Sequence, residues 1–531
     1  GSRARLLDAY VWTNFQAGNV PVNLRVGKQV VSWGEALFLQ DGINSANPAN
    51  LSMLRLPGAE VKEALLPVGM VYGSFGFTDN LTMETFYQYE WKNSEPDAAG
   101  TFYATTDALG GVGNYEVLVD LTGTAVDNFG LLQKYIAAKK AVAPEDVPVG
   151  DKTLINYRLP DEKAKNGGQY GLAFRYFAEN LNATEFGFYF MNYHSRKPGA
   201  RVVAGEALGA LEDGSIGCDA YKTQFSVSSC PTVADLSGPT GLVLRGYNAL
   251  NYIDTARYQL YYPEDIKMYG ISFNTTVGDT SYAGEIAYRP KMPLLAEFGD
   301  NMLAINILAA SALASDPNAT YSFGQLCNVK AGQALDDVVE LPVTNVALVS
   351  THNFGQRLGA DRFIGVLELG MTHVGGMDSD TLYASDGAIG LATVGSKKDG
   401  AYLGSDNFGQ ACQTTDRKGT ATCHPLLAEG SPADYMTSNS YGYRLVLNAT
   451  YNDVFAGVNA TPMLRFAHDV KGNSYLSGNF IQDRKSATFS TEFDYLNSFQ
   501  TEIAYTTFWG ADGNNQLSDR DNVAVSVRYT F

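Results

Sequence analysis

The sequence lacks any apolar run that reaches the roughly 18 residues of a membrane-spanning helix. The nearest stretch, residues 302–314, is interrupted by Asn306 and follows Glu297 and Asp300. No secretory signal peptide begins at Gly1. We therefore expect no membrane helix, and the chain is either cytosolic or a mature product whose signal has been removed.

Histidine and cysteine are scarce, with five of each. The histidines are dispersed, without the spacing of zinc ligands. No P-loop, dinucleotide-binding fingerprint, nucleophile elbow or Cys-x-x-Cys motif occurs. The net charge of −18 disfavours nucleic acid, whose phosphates attract a basic surface. We expect no cofactor, no bound metal, no nucleic-acid partner and no enzymatic activity.

Four of the five cysteines form two close pairs, each in a polar stretch rich in Ser, Thr and Gly. Cys218 lies near Cys230, and Cys412 lies near Cys423. This context predicts two local disulfides that close loops in an oxidising compartment, with unpaired thiols as the alternative. Cys327 would then be left free.

Apolar and polar side chains alternate along many segments, most regularly over residues 522–531. Val523, Val525 and Val527 lie on one face of this segment, with polar or small residues between them. Alternation with period two predicts a strand, and about ten residues suffice to cross a bilayer as a tilted strand. The terminal Phe531 resembles the signal that outer-membrane barrels present to the barrel assembly machinery.

The same pattern predicts about fifteen strands. They cover residues 5–16, 22–33, 68–77, 81–91, 169–178, 183–193, 267–277, 280–289, 350–358, 362–373, 440–450, 456–468, 486–496, 499–509 and 522–531. Single-chain bacterial barrels have an even number of strands, so we expect about 16, or 14 if one segment is miscounted. Because the first segment leads into a short turn, its preceding strand is expected to be missing from this chain.

Short turns between the predicted strands alternate with long connections. The long ones span residues 92–168, 194–266, 290–349 and 374–439, with short helices expected at 127–142 and 300–314. Tight periplasmic turns and long extracellular loops are typical of outer-membrane barrels. We therefore predict an all-β fold over residues 1–531: one transmembrane antiparallel β-barrel in the cell outer membrane, surrounded by its lipids.

Charged residues fall on the face of these segments that lies opposite the apolar stripe. Since the apolar face of a barrel contacts lipid, the charged face is predicted to line the lumen. This set comprises Arg25, Glu84, Arg175, Glu185, Glu285, Arg289, Arg362, Glu368, Arg444, Arg465, Glu492, Glu502 and Arg528. Its mixed signs fit either a selectivity lining or a structural network that satisfies buried charge.

The connection at residues 34–66 is polar and rich in Asn, Pro and Gly, without a helical period. It predicts a loop that folds into the barrel or caps it, acting as a gate. The alternative is a structural loop whose Gly and Pro fix turns. The candidate gate residues are Trp33, Gly34, Glu35, Asn44, Asn47, Pro48, Arg55, Pro57, Gly58, Glu60 and Lys62.

Residues 25–91 also carry motifs that strand alternation does not explain. They include Arg25-Val26-Gly27-Lys28-Gln29, Trp33-Gly34-Glu35, Gly42-Ile43-Asn44, Asn47-Pro48 and Pro57-Gly58-Ala59-Glu60. This stretch resembles the N-terminal region of DUF1302, an outer-membrane family of Gram-negative bacteria described as a domain of unknown function.

The resemblance implies partners. Genes of this family often lie beside a resistance-nodulation-division transporter and a periplasmic lipid-binding-like protein. Such neighbours imply an outer-membrane channel or conduit that works with them, in export, on a hydrophobic or amphipathic molecule. The long loops support an alternative function, a surface-exposed binding or adhesion protein that the barrel anchors.

Overall fold

A computed structural model gives the fold of the chain. It describes residues 7–53, 64–98, 100–105, 116–120, 130–142, 153–206, 216–230, 241–296, 301–302, 305–306, 321–323, 326–378, 381, 383–386, 414–415, 421–422, 435–496, 498–511 and 514–530.

Strands dominate these residues. In chain order they are β1 (Ala9–Ala17), β2 (Val20–Gln29), β3 (Val68–Thr78), β4 (Leu81–Gln88), β5 (Glu116–Asp120), β6 (Thr153–Glu162), β7 (Gln169–Ala178), β8 (Thr184–Tyr193), β9 (Gly199–Val203), β10 (Arg257–Tyr261), β11 (Ile266–Val277), β12 (Thr280–Leu295), β13 (Tyr321–Phe323), β14 (Leu326–Val329), β15 (Ala334–Asp336), β16 (Val338–Gly355), β17 (Arg362–Val374), β18 (Thr414–Thr415), β19 (Ala421–Thr422), β20 (Asn439–Phe455), β21 (Val458–Lys471), β22 (Lys485–Tyr495), β23 (Phe499–Trp509) and β24 (Asn522–Tyr529).

The described part of the chain also contains three α-helices: α1 (Leu131–Val142), α2 (Ile216–Phe225) and α3 (Gly241–Thr255). Within the described ranges, no helix is both long and apolar enough to span a membrane. Helix α1 covers most of the helix predicted at 127–142, whereas most of the second predicted helix, at 300–314, lies outside the described residues.

Fifteen strands form one large sheet, in the order β1-β2-β3-β4-β7-β8-β11-β12-β16-β17-β20-β21-β22-β23-β24. Every neighbouring pair in this sheet is antiparallel. Each of the fifteen predicted segments corresponds to one of these strands, so the prediction of an all-β antiparallel fold is confirmed. Between the described residues of β1 and β24 there is no strand pairing, and the sheet is open there.

The expected bounds of one long connection, 290–349, were wrong. Strand β12 continues to Leu295 and β16 begins at Val338, twelve residues before the predicted segment at 350–358. The two strands stay paired from Met292–Leu341 to Leu295–Val338, beyond an irregularity after Arg289. Prolines at 290, 293 and 342 hide this extension from the alternation pattern, because they replace side chains that would mark the two faces.

One face of the large sheet carries an exposed apolar band. Across β8, β11, β12, β16, β17 and β20, the strand register aligns one continuous row of side chains: Phe188, Ile271, Ile286, Val346, Met371 and Tyr441. These six are between 36% and 54% exposed. An apolar surface of this extent needs an apolar environment. It places the sheet in a bilayer, where antiparallel β-barrels are the spanning architecture of outer membranes.

The opposite face of the sheet holds the principal core. Its buried cluster includes Met70, Tyr189 and Met268 from the strands, together with Trp33 and Ile43 from the connection between β2 and β3. A loop therefore provides part of the core that the strands enclose.

A second, five-stranded sheet stands at the long-connection end, in the order β15-β9-β10-β6-β5. It joins the large sheet where β15 leads directly into β16, and the Asp337 N–H donates to the Ala200 carbonyl at 2.9 Å. Helices α1 and α3 pack beside it through Tyr135 and Leu250. The sequence predicted short helices in two of the long connections but did not predict this sheet. The β6–β10 pairing is parallel and about 100 residues apart in sequence, so no local pattern reveals it.

The predicted disulfide between Cys218 and Cys230 is confirmed, with a Cα–Cα distance of 5.3 Å. It links Cys230, which follows α2, to Cys218 within the helix. Cys412, Cys423 and Phe531 lie outside the described residues.

Candidate functional site

The connection between β2 and β3, residues 30–67, crosses the enclosed face of the large sheet and is called the inward loop. Its residues 54–63 lie outside the described ranges, and with them the predicted Arg55, Pro57, Gly58, Glu60 and Lys62. The remainder contains Trp33, Gly34, Glu35, Asn44, Asn47 and Pro48.

Glu285 on β12 binds the main chain of the inward loop. Its carboxylate accepts hydrogen bonds from the backbone N–H groups of Glu35, Ala36 and Ile43, the last two at 3.1 and 2.9 Å. Glu285 is 3% exposed. Hydrogen bonds to an ionised acceptor are stronger than neutral ones, so this carboxylate anchors both ends of the segment 35–43.

Glu368 on β17 binds the middle of the same segment. Its two carboxylate oxygens accept the N–H groups of Leu37 and Phe38 at 3.0 and 2.8 Å. Arg444 faces Glu368 in the strand register but forms an ion pair with Asp469 at 2.8 Å. Two wall carboxylates thus accept five backbone N–H groups of the loop, and we call Glu285 and Glu368 the carboxylate clasp.

Two glycines of the sequence motifs make this approach possible. A Cβ at Gly34, where φ is +91°, would lie 2.4 Å from Glu285 Oε2. A Cβ at Gly42 would lie 2.0 Å from Glu285 Oε1. Any larger residue at either position would displace the carboxylate, so Trp33-Gly34-Glu35 and Gly42-Ile43-Asn44 encode contact with Glu285.

Arg289 supplies the complementary donors. It lies four residues after Glu285 on β12, on the same face of the strand, and is fully buried. Its guanidinium donates to the carbonyl oxygens of Asp41 and Gly42, both at 2.7 Å, and to Ser45 Oγ and Tyr193 Oη, both at 2.8 Å. Strand β12 therefore binds the inward loop twice: Glu285 accepts from backbone N–H groups of the loop, and Arg289 donates to its backbone carbonyl groups.

The Asp41 side chain ties the loop to the long-connection end. Its carboxylate accepts hydrogen bonds from Lys197 Nζ at 2.7 Å and from Tyr475 Oη at 2.9 Å. Burial of the carboxyl opposes its ionisation, but Lys197 and Arg289 together hold the pKa of Asp41 below its usual range.

Neutral amides complete the anchoring of this turn. Asn479 accepts from the Gln40 N–H at 2.7 Å and donates to the Gln40 carbonyl at 2.8 Å. Asn345 on β16 donates to the Asp41 carbonyl at 3.0 Å. These side chains satisfy backbone groups that would otherwise be buried without a partner.

Asn47 holds the base of the loop together. Its Oδ1 accepts the Val31 N–H at 2.9 Å, while its Nδ2 donates to the carbonyls of Gln29 and Leu66 at 3.2 and 3.0 Å. The Leu66 N–H in turn donates to the Pro48 carbonyl at 2.7 Å. The start and the end of the loop are thereby joined in one small network.

Trp33 anchors the loop on the strands near β4. Its Nε1 donates to Glu84 at 2.7 Å, and its ring packs against Phe86 and Tyr189 with centroid distances of 5.0 and 5.9 Å. Arg175 then pairs with Glu84 at 3.2 Å. The wall is shaped to admit the indole, because a Cβ at Gly171 would lie 2.8 Å from it.

Glu35 points towards the tight-turn end of the sheet. It accepts hydrogen bonds from Asn274 Nδ2 at 3.2 Å and from Ser272 Oγ at 3.5 Å. Burial raises the pKa of its carboxyl, although the hydrogen bond from Asn274 acts against this. On this side of the loop, Glu185 and Asn274 line an open depression of about 610 Å³.

The loop fits closely against the wall. Between Ala36, Leu39 and Gly42 on the loop and Glu285 and Ala347 on the wall, the remaining space is about 10 Å³. That volume admits about one water molecule at most.

The predicted lumen charges therefore fall into two groups. Six of them lie in or beside the contact with the inward loop: Glu84, Arg175, Glu185, Glu285, Arg289 and Glu368. The others lie elsewhere on the sheet. Arg25 stacks on Tyr72 at 4.0 Å, Glu492 faces Glu502 across β22 and β23, Arg528 faces Gln500, and Arg362 and Arg465 are exposed.

The sequence patterns missed Asp41 of the loop and four wall residues that bind the loop: Lys197, Asn345, Tyr475 and Asn479. They also missed Tyr193, which accepts a hydrogen bond from Arg289. Asp41 stands directly before the Gly42-Ile43-Asn44 motif, and that adjacency is a signal that could have identified it. The two amides carry no charge, so a search for charged residues on the inner face overlooks them.

Among the described residues, no group of three or more His, Cys, Asp or Glu side chains could hold a metal ion. The polar groups of the site bind the loop itself. Their arrangement holds a segment of chain in a fixed position on the sheet.

Comparison with known proteins identifies one family and several structures. A family model described as "Protein of unknown function (DUF1302)" matches residues 1–531. Among curated proteins there is no match.

Solved structures of three bacterial proteins resemble the chain weakly. The outer membrane channel DcaP of Acinetobacter baumannii has 8% identity and a TM-score of 0.30, over 98% of this chain and 83% of its own. OccAB4 of Acinetobacter baumannii has 9% identity and a TM-score of 0.29, over 96% and 71%. A FadL homologue of Pseudomonas aeruginosa has 7% identity and a TM-score of 0.27, over 92% and 80%.

Proposed function

Because the chain belongs to the DUF1302 family, described as proteins of unknown function, we propose its function from the geometry of its own site. It is an outer-membrane channel or conduit for a hydrophobic or amphipathic molecule, and the inward loop is its gate. The observation that carries this proposal is the carboxylate clasp, in which Glu285 and Glu368 hold the loop across the enclosed face of the sheet.

The contacts that hold the inward loop on the wall favour a movable gate over a permanent plug. The clasp and Arg289 bind mainly backbone N–H and carbonyl groups of residues 35–43, and such hydrogen bonds can be exchanged for water when the loop moves. Each hydrogen bond to a charged group contributes roughly 1.5–3 kcal/mol. Together they hold the loop closed until another interaction replaces them.

The loop also separates two spaces. Gln40 lines a cavity on the side of the long connections, whereas Asn274, which binds Glu35, lines the depression at the tight-turn end. A molecule that crosses from the periplasm to the outside would have to pass this segment. Export with a resistance-nodulation-division transporter and a periplasmic lipid-binding-like protein is the form of transport that we propose.

Conductance in planar lipid bilayers tests the gate. The double variant Glu285→Ala/Glu368→Ala should conduct several-fold more than the wild type, because five N–H groups lose their acceptors. Glu492→Ala is the matched control, since this carboxylate faces Glu502 on the neighbouring strand and not the loop. Equal conductance in the double variant, the wild type and a variant that lacks residues 34–45 would refute the gate.

The cargo and the partners need a test in cells. Deletion of the gene should make a hydrophobic or amphipathic molecule accumulate inside the envelope, and a clasp variant that stays open should relieve that accumulation only when the transporter is present. An unchanged envelope lipid and metabolite profile under conditions of expression would contradict the transport function.

The folded outer layer favours a second candidate, a surface binding or adhesion protein. The five-stranded sheet, the three helices and the Cys218–Cys230 disulfide form structured material beyond the membrane strands. If adhesion is the function, deletion of the loops that carry Cys218–Cys230 and Cys412–Cys423 should abolish it while the barrel remains folded. A function that survives this deletion would reject the second candidate.

A further inference from the structure

A cavity of about 370 Å³ lies on the long-connection side of the inward loop. We call it the outer cavity. Its floor includes Gln40 and Ala49 of the loop, and its sides include residues 195–199 after β8 and residues 475–478 between β21 and β22. The volume falls within the roughly 300–1,000 Å³ of ligand sites in proteins.

One side of the outer cavity is apolar. Met292, Leu294 and Leu295 at the end of β12 line it, together with Val338 at the start of β16. These residues belong to the strand extension beyond the irregularity after Arg289. The extension therefore provides an apolar wall directly beside the closed loop.

Arg196 brings an uncompensated positive charge to the same cavity. It is 7% exposed, and its NH1 and NH2 atoms donate to the Lys92 and Ala46 carbonyls and to Gln88 Oε1 at 3.2, 2.9 and 2.6 Å. All three acceptors are neutral, and its Nε has no partner in the described chain. Within the described residues no carboxylate lies within ion-pair distance of it.

Burying this charge carries an electrostatic cost. Burial lowers the pKa of Arg196 to about 10, since the charged form loses its hydration. The group stays protonated at neutral pH. A buried cation without an anionic partner is unfavourable, and it becomes favourable when an anion binds beside it.

Asn515 supplies a second unpaired donor to the outer cavity. It is 3% exposed, and its Oδ1 accepts the Leu517 N–H at 3.1 Å, which fixes the orientation of the amide. Its Nδ2 has no acceptor in the described chain. Both orphaned polar atoms in the cavity lining are therefore donors, and they call for an oxygen acceptor.

The other charges of the lining already have partners. Lys197 pairs with Asp41 at 2.7 Å, and Arg484 pairs with Asp469 at 2.8 Å. Asp97 accepts a hydrogen bond from Ser52 Oγ at 3.1 Å, and Asp386 accepts the backbone N–H of Ser477 at 2.8 Å. Among the residues that line this cavity, Arg196 Nε and Asn515 Nδ2 are thus the buried donors without a partner in the described chain.

We propose that the outer cavity binds an anionic amphiphile, whose carboxylate or phosphate head meets Arg196 and Asn515 and whose alkyl chain lies along Met292, Leu294 and Val338. This site deepens the proposed function, because it names the charge and shape of the molecule that passes the loop. It is the binding site that the transported molecule occupies on the outer side of the closed loop.

Binding to the full chain in nanodiscs of zwitterionic lipid tests the site. The probes are spin-labelled dodecanoate, dodecyl phosphate and dodecyltrimethylammonium, and the immobilised fraction is measured by electron paramagnetic resonance. We expect both anions to bind, and the cation to bind about tenfold more weakly, equivalent to about 1.4 kcal/mol. The two anion probes distinguish a carboxylate head from a phosphate head.

Four variants locate the probe. Arg196→Met should remove the preference for anions, Arg196→Lys should keep most of it, and Asn515→Leu should weaken anion binding alone. Val338→Trp fills the cavity and should abolish binding of every probe. Val346→Trp, on the same strand but on the lipid face, is the matched control for bulk and should bind normally.

Equal affinity for anionic and cationic probes, or unchanged binding in Val338→Trp, would overturn the proposal. Because Arg196 also contacts Ala46, the Arg196→Met variant could fail to fold. In that case Arg196→Lys, Asn515→Leu and Val338→Trp still test the site. A wild-type chain that binds no anionic probe but has a normally gated conductance rejects this site alone, whereas an ungated conductance with intact anion binding rejects only the gate.

Discussion

Gly42 lies against the carboxylate of Glu285, so closely that a Cβ at residue 42 would stand 2.0 Å from Glu285 Oε1. The two residues are 243 positions apart in the sequence. Their contact joins a short motif of the inward loop to the wall of the barrel, and it explains why this turn of the loop requires glycine.

Replacing this glycine should open the gate. In Gly42→Ala the added methyl group displaces the Glu285 carboxylate, and the N–H groups of Glu35, Ala36 and Ile43 lose their acceptor. We expect a higher conductance and a free energy of unfolding lower by roughly 2–4 kcal/mol, the scale of a buried polar network that is broken. Gly167→Ala is the control, because its Cβ would meet only the far end of Tyr87 at 3.2 Å. Wild-type conductance in Gly42→Ala would contradict the contact.

Arg289 should contribute far more to stability than its neighbour on β12. Arg289→Met removes a charged donor from each of the buried Asp41 and Gly42 carbonyls, which keep only the neutral donors Asn345 and Ser45. We expect a loss of roughly 3–5 kcal/mol in the free energy of unfolding. Lys291→Met is the matched control, because Lys291 is 77% exposed and pairs with Glu340 at the surface. Surface pairs contribute about 0–1 kcal/mol. Equilibrium unfolding in urea compares the variants, and equal losses would show that Arg289 does not hold the loop.

Acidification should weaken the loop contact through Asp41. Its pKa in the folded chain lies below the ordinary value of 3.8, so ionised Asp41 stabilises the folded state above about pH 4. That contribution is lost as the pH falls through the lowered pKa. Asp41→Asn should have a lower free energy of unfolding than the wild type at pH 7, and the difference should shrink towards pH 3. A difference that stays constant over this range would contradict the ion pair with Lys197.

The strands could be predicted because lipid imposes a simple rule on them. Each membrane strand must present apolar side chains outward, as the row through Ile271, Ile286 and Val346 does, so period two is written into the sequence. Where β12 and β16 leave the band, Pro293 and Pro342 replace alternating side chains and the rule no longer applies. The second sheet escaped prediction because its β6–β10 pairing is parallel and distant in sequence.

The site could be predicted only in part. Glycines and polar residues marked the inward loop, and the inner-face parity marked Glu285, Arg289 and Glu368. Which wall residue meets which loop atom depends on the register of strands that are hundreds of residues away, and local patterns carry no such information. Asn345 and Asn479 were missed because neutral amides occur on inner faces without any distinguishing period.

A reversible cross-link between the loop and the wall tests the central claim most directly. In the closed structure a Cβ at Gly270 would lie 2.7 Å from Ile43 Cγ1, so Ile43→Cys/Gly270→Cys places two thiols within reach of a disulfide. The oxidised double variant should stop export in cells, and a reductant should restore it. The single variant Ile43→Cys, treated identically, controls for reduction of the native cysteines. Export that continues at the wild-type rate while the loop is fully cross-linked to the wall would contradict the gate.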